Sequence, residues 1–569
     1  MKRVLITSAI PSVNGVKHLG NLVGSMLPAD VFARFCRARG YETLAICATD
    51  EHGAPIELAA AEDGIPVAEY CDKWHAVQAD LGARFGLSWD HFGRSSSAQN
   101  RELTWHFARQ LWKNGHLDLR TTKQAYSATD GRFLPDRYVI GTCPHCGYAN
   151  ARGDQCENCT RVLDPIDLIA PRSAVSGAQD IEIRDSVHLF LKQSKFVDEL
   201  RAWIAGHRHD WPVLVTSIAT KWLDEGLQDR GITRDLEWGF PVPDDIADGA
   251  LKGKVFYVWF DAPIEYIGAT KEWADKNGLG EAAWKSWWFG AADVGYFEFM
   301  GKDNVPFHTI IFPAMILGTG EPWKKVDRLK GFNYINYDGG KFSTSGRRGI
   351  FMDGALEILP ADYWRYYLMA NAPESSDTNF TWEHFAAIIN KDLADVLGNF
   401  VNRVTKFCAA RFEAKVPGEG VYGAEEAALC TKLDVLIGQY TEYLETCEFR
   451  KALSELRAIW VAANEYITVA APWTHFKTDR AKAAAGIRMG LNLVHLFGHL
   501  AWPVMPAAAR KVHDAIMDAP AIIPWPGEPM AQFLDQLEPG QAIAAPDVLF
   551  AKITEEQLAE WRARFGGAA

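Results

Sequence analysis

Residues 3–21 read RVLITSAIPSVNGVKHLGN, and this stretch limits the fold more tightly than any other. The apolar, β-branched run from Arg3 to Ile10 suits a buried parallel strand. Pro11 and the Asn14-Gly15 pair break it. The spacing of Leu22, Val23, Met26 and Leu27 then predicts a helix whose first turn carries His18, Leu19, Gly20 and Asn21. Helix starts present free N–H groups and a partial positive charge, which suits phosphates. Gly20 lets a flat ring or a phosphate approach the backbone. His18 and Asn21 are three residues apart on one face, and both can donate hydrogen bonds. Taken alone, the same residues serve equally well as a helix cap and a turn.

The helix runs to Gly40, and ETLAICATD follows as a second strand, so the chain opens as a βαβ unit with a parallel sheet. Ligands of such sheets bind at the carboxyl ends of strands, which groups Ile10 to Ser12 with Thr49 to His52. Asp50 and Glu51 stand where a cationic group can be held. On local sequence alone, TDEHG reads as a solvated loop with capping acids. Helices are expected over Val67–Leu81 and Asn100–Asn114. From about Leu117 to Asp235 short strands and turns take over, as in an insertion into the sheet domain.

That insertion carries Cys143-Pro-His-Cys146 and, nine residues on, Cys156-Glu-Asn-Cys159. Paired Cys-x-x-Cys knuckles at this separation suit a four-thiolate tetrahedral zinc site, closed and therefore structural. His145 lies between ligands and is not needed as one. Beyond the insertion, KVFYVWF and YFEFMGKDNVPFHTIIFPAMILG read as strands completing the sheet. Trp259, Tyr266, His308, Ile311 and Phe312 would form an apolar cup with one polar handle. DGGKFSTSGRRG, residues 338–349, packs three hydroxyls, four glycines and three cations into a loop suited to polyphosphate. Long amphipathic helices follow over 383–412, 424–446, 449–470 and 480–503, the pattern of a helical bundle.

No apolar run approaches the ~18 residues of a membrane span, and no signal-like segment opens the chain, so a cytoplasmic protein without membrane contact is expected. That compartment argues against disulfides among the ten cysteines. A net charge of −13 does not point to nucleic acid, but phosphate contacts need a local basic face rather than a basic average.

HLGN after a first strand, with KFSTS over 300 residues later, resembles the paired ATP-binding signatures of class I aminoacyl-tRNA synthetases. SAIP-x-x-NG-x-x-HLGN, CATDEHG, FLPDRYVIGTCPHCG, YVWFDAPIEY, GKDNVPFH and LGNFVNRVTKF together resemble the methionyl-tRNA synthetases over essentially the whole chain. The resemblance implies an α/β fold. A Rossmann-like parallel-sheet catalytic domain (1–116 and 236–335) is split by a zinc-knuckle connective insertion (117–235). The KFSTS loop and stem-contact region (336–385) follow, then an α-helical anticodon-binding bundle (386–569). It implies activation of L-methionine by ATP with Mg²⁺, transfer to tRNA(Met) for initiation and elongation, and a monomer. By the same resemblance, His18, Gly20, Asn21, Lys341, Ser343 and Thr344 bind ATP, with His18, Asn21 and Lys341 catalytic. Ile10, Ser12, Asp50, Trp259, Ala262, Pro263, Tyr266, His308 and Phe312 hold methionine, Asp50 taking the ammonium. Zinc sits on Cys143, Cys146, Cys156 and Cys159, and Asn402, Lys406 and Trp473 read the anticodon.

The chain departs from the family's common pattern at several of these positions. Asn21 replaces a histidine and still donates a hydrogen bond. Thr344 replaces a lysine, which removes a cation from the loop. Lys406 replaces an arginine, which removes a bidentate base contact. Ser12 stands where a tyrosine closes the methionine pocket, so a looser pocket is expected, with a raised methionine KM or tolerance of bulkier analogues. Two other readings are weighed: a paralogue serving another acceptor, opposed by the anticodon positions, and a non-catalytic zinc RNA-binding protein, opposed by His18, Asp50 and Lys341.

Overall fold

The structure is a computed structural model describing residues 2–566 apart from 154, 155, 157, 160, 162, 343–347 and 528. Its centre is a five-stranded parallel sheet. The strands used below are β1 (Arg3–Ser8), β2 (Glu42–Thr49), β3 (His91–Arg94), β4 (Leu117–Ser127), β5 (Ile181–Leu191), β6 (Val294–Gly301) and β7 (Arg328–Phe332). The sheet order is β7-β6-β1-β2-β3. β1 is thus flanked by β2 and by β6, whose register runs Arg3↔Val294 to Ser8↔Phe299. Chain order reverses across β1, and the crevice beyond its carboxyl end is where a ligand of such a sheet sits. Both faces are covered, so β1 is almost wholly buried, as its continuous apolar run requires.

The helix after β1 runs from Leu19 to Ala38 with a π segment at Leu22–Met26. Helices Val67–Arg84 and Ala98–Lys113 follow where the periodicity expects them. The chain then leaves the sheet. β4 and β5 pair antiparallel from Leu117↔Leu191 to Ser127↔Ile181, and the cysteine knuckles hang on a small three-stranded sheet at their far end.

Two expected strands are corrected. KVFYVWF supplies only the short strand Val255–Phe256 and then turns into the helix Val258–Asp261. PFHTIIFPAMILG is helical, a π segment Phe307–Ile311 running into Phe312–Thr319. Short apolar runs buried on all sides look alike as strand or helix, because burial erases the periodicity that separates them. YFEFMG, the start of the second run, is the expected strand within β6, and the sheet is completed by β7, a run whose Arg and Lys make it less apolar than its neighbours.

Helices Asn399–Arg411, Ala424–Glu445, Phe449–Ala470 and Arg480–Ala501 form the bundle. The helix Ala361–Ala370, ahead of the bundle, carries Arg365, which ties the bundle domain to the sheet domain. Arg365 Nη2 donates to Asp30 Oδ2 at 2.7 Å with both side chains fully enclosed, and the same guanidinium caps the Val504, Pro503 and Phe85 carbonyls. The neighbouring Arg34 and Arg365 overcome the cost of burial and hold the Asp30 carboxyl down at about 2.

Candidate active site

The carboxyl ends of β1 and β2 are bound to each other past the sheet. The Val13 amide donates to the Asp50 carbonyl and the Asp50 amide to the Pro11 carbonyl, each at 2.8 Å. This clamp sets Asp50 beside a cavity of about 90 Å³ lined by Ala9, Ile10, Asp50, Trp259, Ala262, Pro263, Tyr266, Asn304, Phe307 and His308. Seven of the nine methionine positions read from the sequence are therefore brought to one hole. The other two are not among its lining. Phe312 is buried against Phe107, ring centroids 6.4 Å apart, in the core behind it. Ser12 stays in the strand-end clamp, its carbonyl accepting from Gln78 Nε2 at 3.0 Å. Ala9, Asn304 and Phe307 were missed. Phe307 meets the Trp259 ring edge-on at 4.8 Å, and it lay in a segment read as strand, where its direction was unreadable.

The polar end of the cavity is short of positive charge. Asp50 Oδ1 and Asp261 Oδ1 are both buried with no hydrogen-bond partner. Burial, then repulsion from Asp261, pushes the Asp50 carboxyl up to about 8. Burial also raises Asp261, although His52 is bound to its other oxygen. Burial opposes a charged His52, but Asp261 outweighs it and holds that ring above its ordinary value. Two carboxyl groups with open oxygens face one imidazole. A small cation with N–H donors fits that deficit. Glu51, the other acid of TDEHG, faces away: it is fully buried against Arg94, whose Nε donates to it at 2.9 Å.

At the helix start, His18 and Asn21 close a reciprocal cap. The Asn21 amide donates to His18 Nδ1, and the His18 amide donates to Asn21 Oδ1, both at 3.2 Å. This settles what each side chain has left. Burial, then the nearby Lys17, lowers the His18 ring to about 4, so it is neutral at pH 7 and carries its proton on Nε2. Asn21 keeps its NH₂ group. Two donors at a helix N-terminus thus point away from the cap. A Cβ on Gly20 would come within 2.9 Å of His18 Nδ1, so the cap itself demands glycine there. Lys17 is buried, its ammonium lowered to about 8 by loss of solvent despite attraction to Asp50.

Phe342 stacks on the His18 ring with centroids 4.7 Å apart, which lays Phe342 over the helix start. Lys341 is exposed beside it. Ser343 and Thr344 lie outside the described residues. Past them, Arg348 Nη2 donates to the Tyr337 carbonyl at 3.1 Å, tying the returning strand to the outgoing one.

The cysteines converge in pairs, Cys143 and Cys159 Sγ 3.8 Å apart and Cys146 and Cys156 Sγ 3.6 Å apart. Sulfurs about 2.3 Å from a tetrahedral ion would be about 3.8 Å apart, so the donor set fits zinc. His145 points outward to Arg161 at 3.2 Å. In the bundle, Asn402 and Lys406 lie one turn apart on one helix, Asn402 Oδ1 buried without a partner and Lys406 exposed. Trp473 is held by the same helix, with Arg403 Cζ 4.1 Å over its ring and Phe407 at its edge. Arg403 was missed because nothing in the sequence pairs it with Trp473, seventy residues further on.

Comparison with known proteins accords with this arrangement. Residues 4–405 match the family described as tRNA synthetases class I (M), and residues 416–569 match the anticodon binding domain of methionyl tRNA ligase. Methionine–tRNA ligases of Ruegeria pomeroyi and Dinoroseobacter shibae are 59% identical over all of this chain and all of theirs. That of Streptomyces avermitilis is 57% identical over the same extent. The Mycobacterium tuberculosis methionyl-tRNA synthetase solved with methionyl-adenylate superposes with a TM-score of 0.77 at 25% identity, over 97% of this chain and 100% of that one.

Proposed function

The chain belongs to the class I methionyl-tRNA synthetases, and from that membership we propose how its residues divide the work. It is a methionine–tRNA ligase, activating methionine with ATP and charging tRNA. The observation that carries the residue assignment is the unpaired Asp50 Oδ1 at the mouth of an apolar cavity, next to the capped helix start.

Asp50 accepts the methionine ammonium, with Asp261 deepening the negative field. Ile10, Trp259, Ala262, Pro263, Tyr266 and His308 enclose the thioether, joined by Ala9, Asn304 and Phe307. A thioether is a weak acceptor, so shape and aromatic contact must carry its selection. ATP lies across the helix start, with His18 Nε2–H and the Asn21 side-chain NH₂ donating to its phosphates and Lys341 of the KFSTS loop drawing off charge. Mg²⁺ arrives with the nucleotide. A methionine carboxylate oxygen bonds to the α-phosphorus, the α–β phosphoanhydride breaks, and pyrophosphate leaves with the charge that Lys341 offsets. The terminal ribose hydroxyl of tRNA(Met) then attacks the methionyl carbonyl and AMP departs. Positioning and charge stabilisation suffice for such steps.

Zinc on Cys143, Cys146, Cys156 and Cys159 supplies cross-linking to the insertion and no chemistry, since all four vertices are sulfur. Trp473 offers an anticodon base a stacking face, while Asn402 and Lys406 reach its edges and backbone. The chain is taken to act as a monomer. No helix among the described residues is long and apolar enough to cross a membrane, and supply of translation places the work in the cytoplasm.

The test is ATP–pyrophosphate exchange with methionine and a panel of other amino acids and bulkier thioethers. Exchange strongest with methionine, lost in Asp50→Ala, is expected. Undiminished exchange in Asp50→Ala would remove the assignment.

A further inference from the structure

We propose that the bundle holds a second metal site, a zinc ion bound by His495, His499 and His513. The three imidazoles are 3%, 5% and 2% exposed, deep in the C-terminal domain and away from the cysteine knuckles. His495 and His499 are four apart on the helix Arg480–Ala501 and so share a face, while His513 comes from the helix Pro506–Asp514 packed against it. Their Nε2 atoms converge. His495 Nε2 is 3.1 Å from His499 Nε2 and 3.3 Å from His513 Nε2. Nitrogens about 2.0–2.1 Å from a tetrahedral zinc would be about 3.3–3.4 Å apart, which these two separations approach, and all three rings keep a nitrogen within 4.8 Å of the others.

The outer atoms fit the same reading. His499 Nδ1 is 2.6 Å from the Pro524 carbonyl and His513 Nδ1 is 3.1 Å from the Met517 carbonyl. A carbonyl only accepts, so both rings carry their proton on Nδ1 and turn a bare Nε2 lone pair inward. Zinc-bound histidines are oriented by contacts of this kind. In this arrangement Gln536 Nε2 donates to His495 Nδ1 at 2.9 Å, which leaves the His495 proton on Nε2. A half-turn of that amide presents its oxygen, which likewise puts the His495 proton on Nδ1 and a third lone pair at the centre. Without a cation, one Nε2–H of His495 would have to serve two facing lone pairs in a site closed to solvent, leaving one unsatisfied. Phe533 stacks on His495 with centroids 5.7 Å apart and meets His499 edge-on, roofing the cluster. Among the described residues no cysteine or carboxylate joins the group, so water takes the fourth vertex. The ion would pin together two bundle helices and the tail segments that carry Pro524 and Gln536.

The test uses the full chain, desalted over a chelating resin. Metal analysis is expected to find two zinc ions per chain, falling to one in His513→Asn while ATP–pyrophosphate exchange persists. X-ray absorption at the zinc edge of the unmutated chain needs no variant to fold: a mixed nitrogen and sulfur shell supports the site. A single zinc with a purely sulfur shell overturns it, as does a metal content unchanged in His513→Asn.

Discussion

Replacing Asp50 by Asn separates binding from stability, because the carboxyl proposed to receive the substrate is costly to the empty protein. Its pKa rises from 3.8 to about 8 through burial and the Asp261 charge. Between those values the folded protein binds a proton that the unfolded chain has released. Stability therefore falls as pH climbs through that window, by about 1.4 kcal/mol per unit while the window lasts. At pH 7 this amounts to a ceiling of about 4 kcal/mol, and local relaxation and water entry reduce it to ~1–2 kcal/mol. Asn cannot ionise, so Asp50→Asn is expected to raise the melting temperature by a few degrees at pH 8 and to change little at pH 4. Methionine binding goes the other way. Loss of the ammonium's charged partner costs about 3–4 kcal/mol, a methionine KM raised roughly 10²- to 10³-fold in ATP–pyrophosphate exchange. Because the Asp50 carboxyl is held up at about 8, methionine KM should fall as pH rises towards 8 and then level off. Lys17, His52, Glu51 and Asp261 share this field and broaden the curve. Scanning calorimetry and exchange kinetics over pH 4–9 measure both halves. A variant that melts lower at pH 8, or that keeps its methionine KM, refutes the reasoning.

The other expectations can be checked with the same assays. Ser12→Tyr should lower methionine KM and narrow the range of thioethers exchanged; unchanged values for both would show that the wall is already closed by Phe307 and Asn304. Lys341→Ala should reduce the exchange rate about 10²-fold or more with methionine affinity nearly intact, as for a charge used mainly in the transition state. Trp473→Ala should leave exchange untouched and lower tRNA charging efficiency roughly ten- to a hundredfold, the worth of one stacked base. An equal loss in both reactions would mean that the change had disturbed the fold.

What the chain determined by itself is local chemistry. An apolar β-branched run followed by Pro11 and Asn14-Gly15 must end as a strand and turn. HLGN must start a helix, and two Cys-x-x-Cys knuckles nine residues apart must be able to meet. These are short-range consequences of backbone preference and spacing, and the amphipathic bundle helices obey the same rule. The tertiary structure decided everything that depends on what lies opposite. KVFYVWF and PFHTIIFPAMILG lack a readable period because they are surrounded by protein, so their conversion to helices, and with it the placing of Phe307 in the cavity and Phe312 behind it, came from packing. The rise of the Asp50 pKa needs burial and then the charge of Asp261, over two hundred residues away, brought near it by the fold. The neutral state of His18 needs the burial and the lysine beside it. The meeting of His495, His499 and His513 needs two helices packed at one crossing, with carbonyls behind them to fix each proton. Charge, tautomer and cavity shape are properties of neighbours, and neighbours distant in sequence are set by the fold.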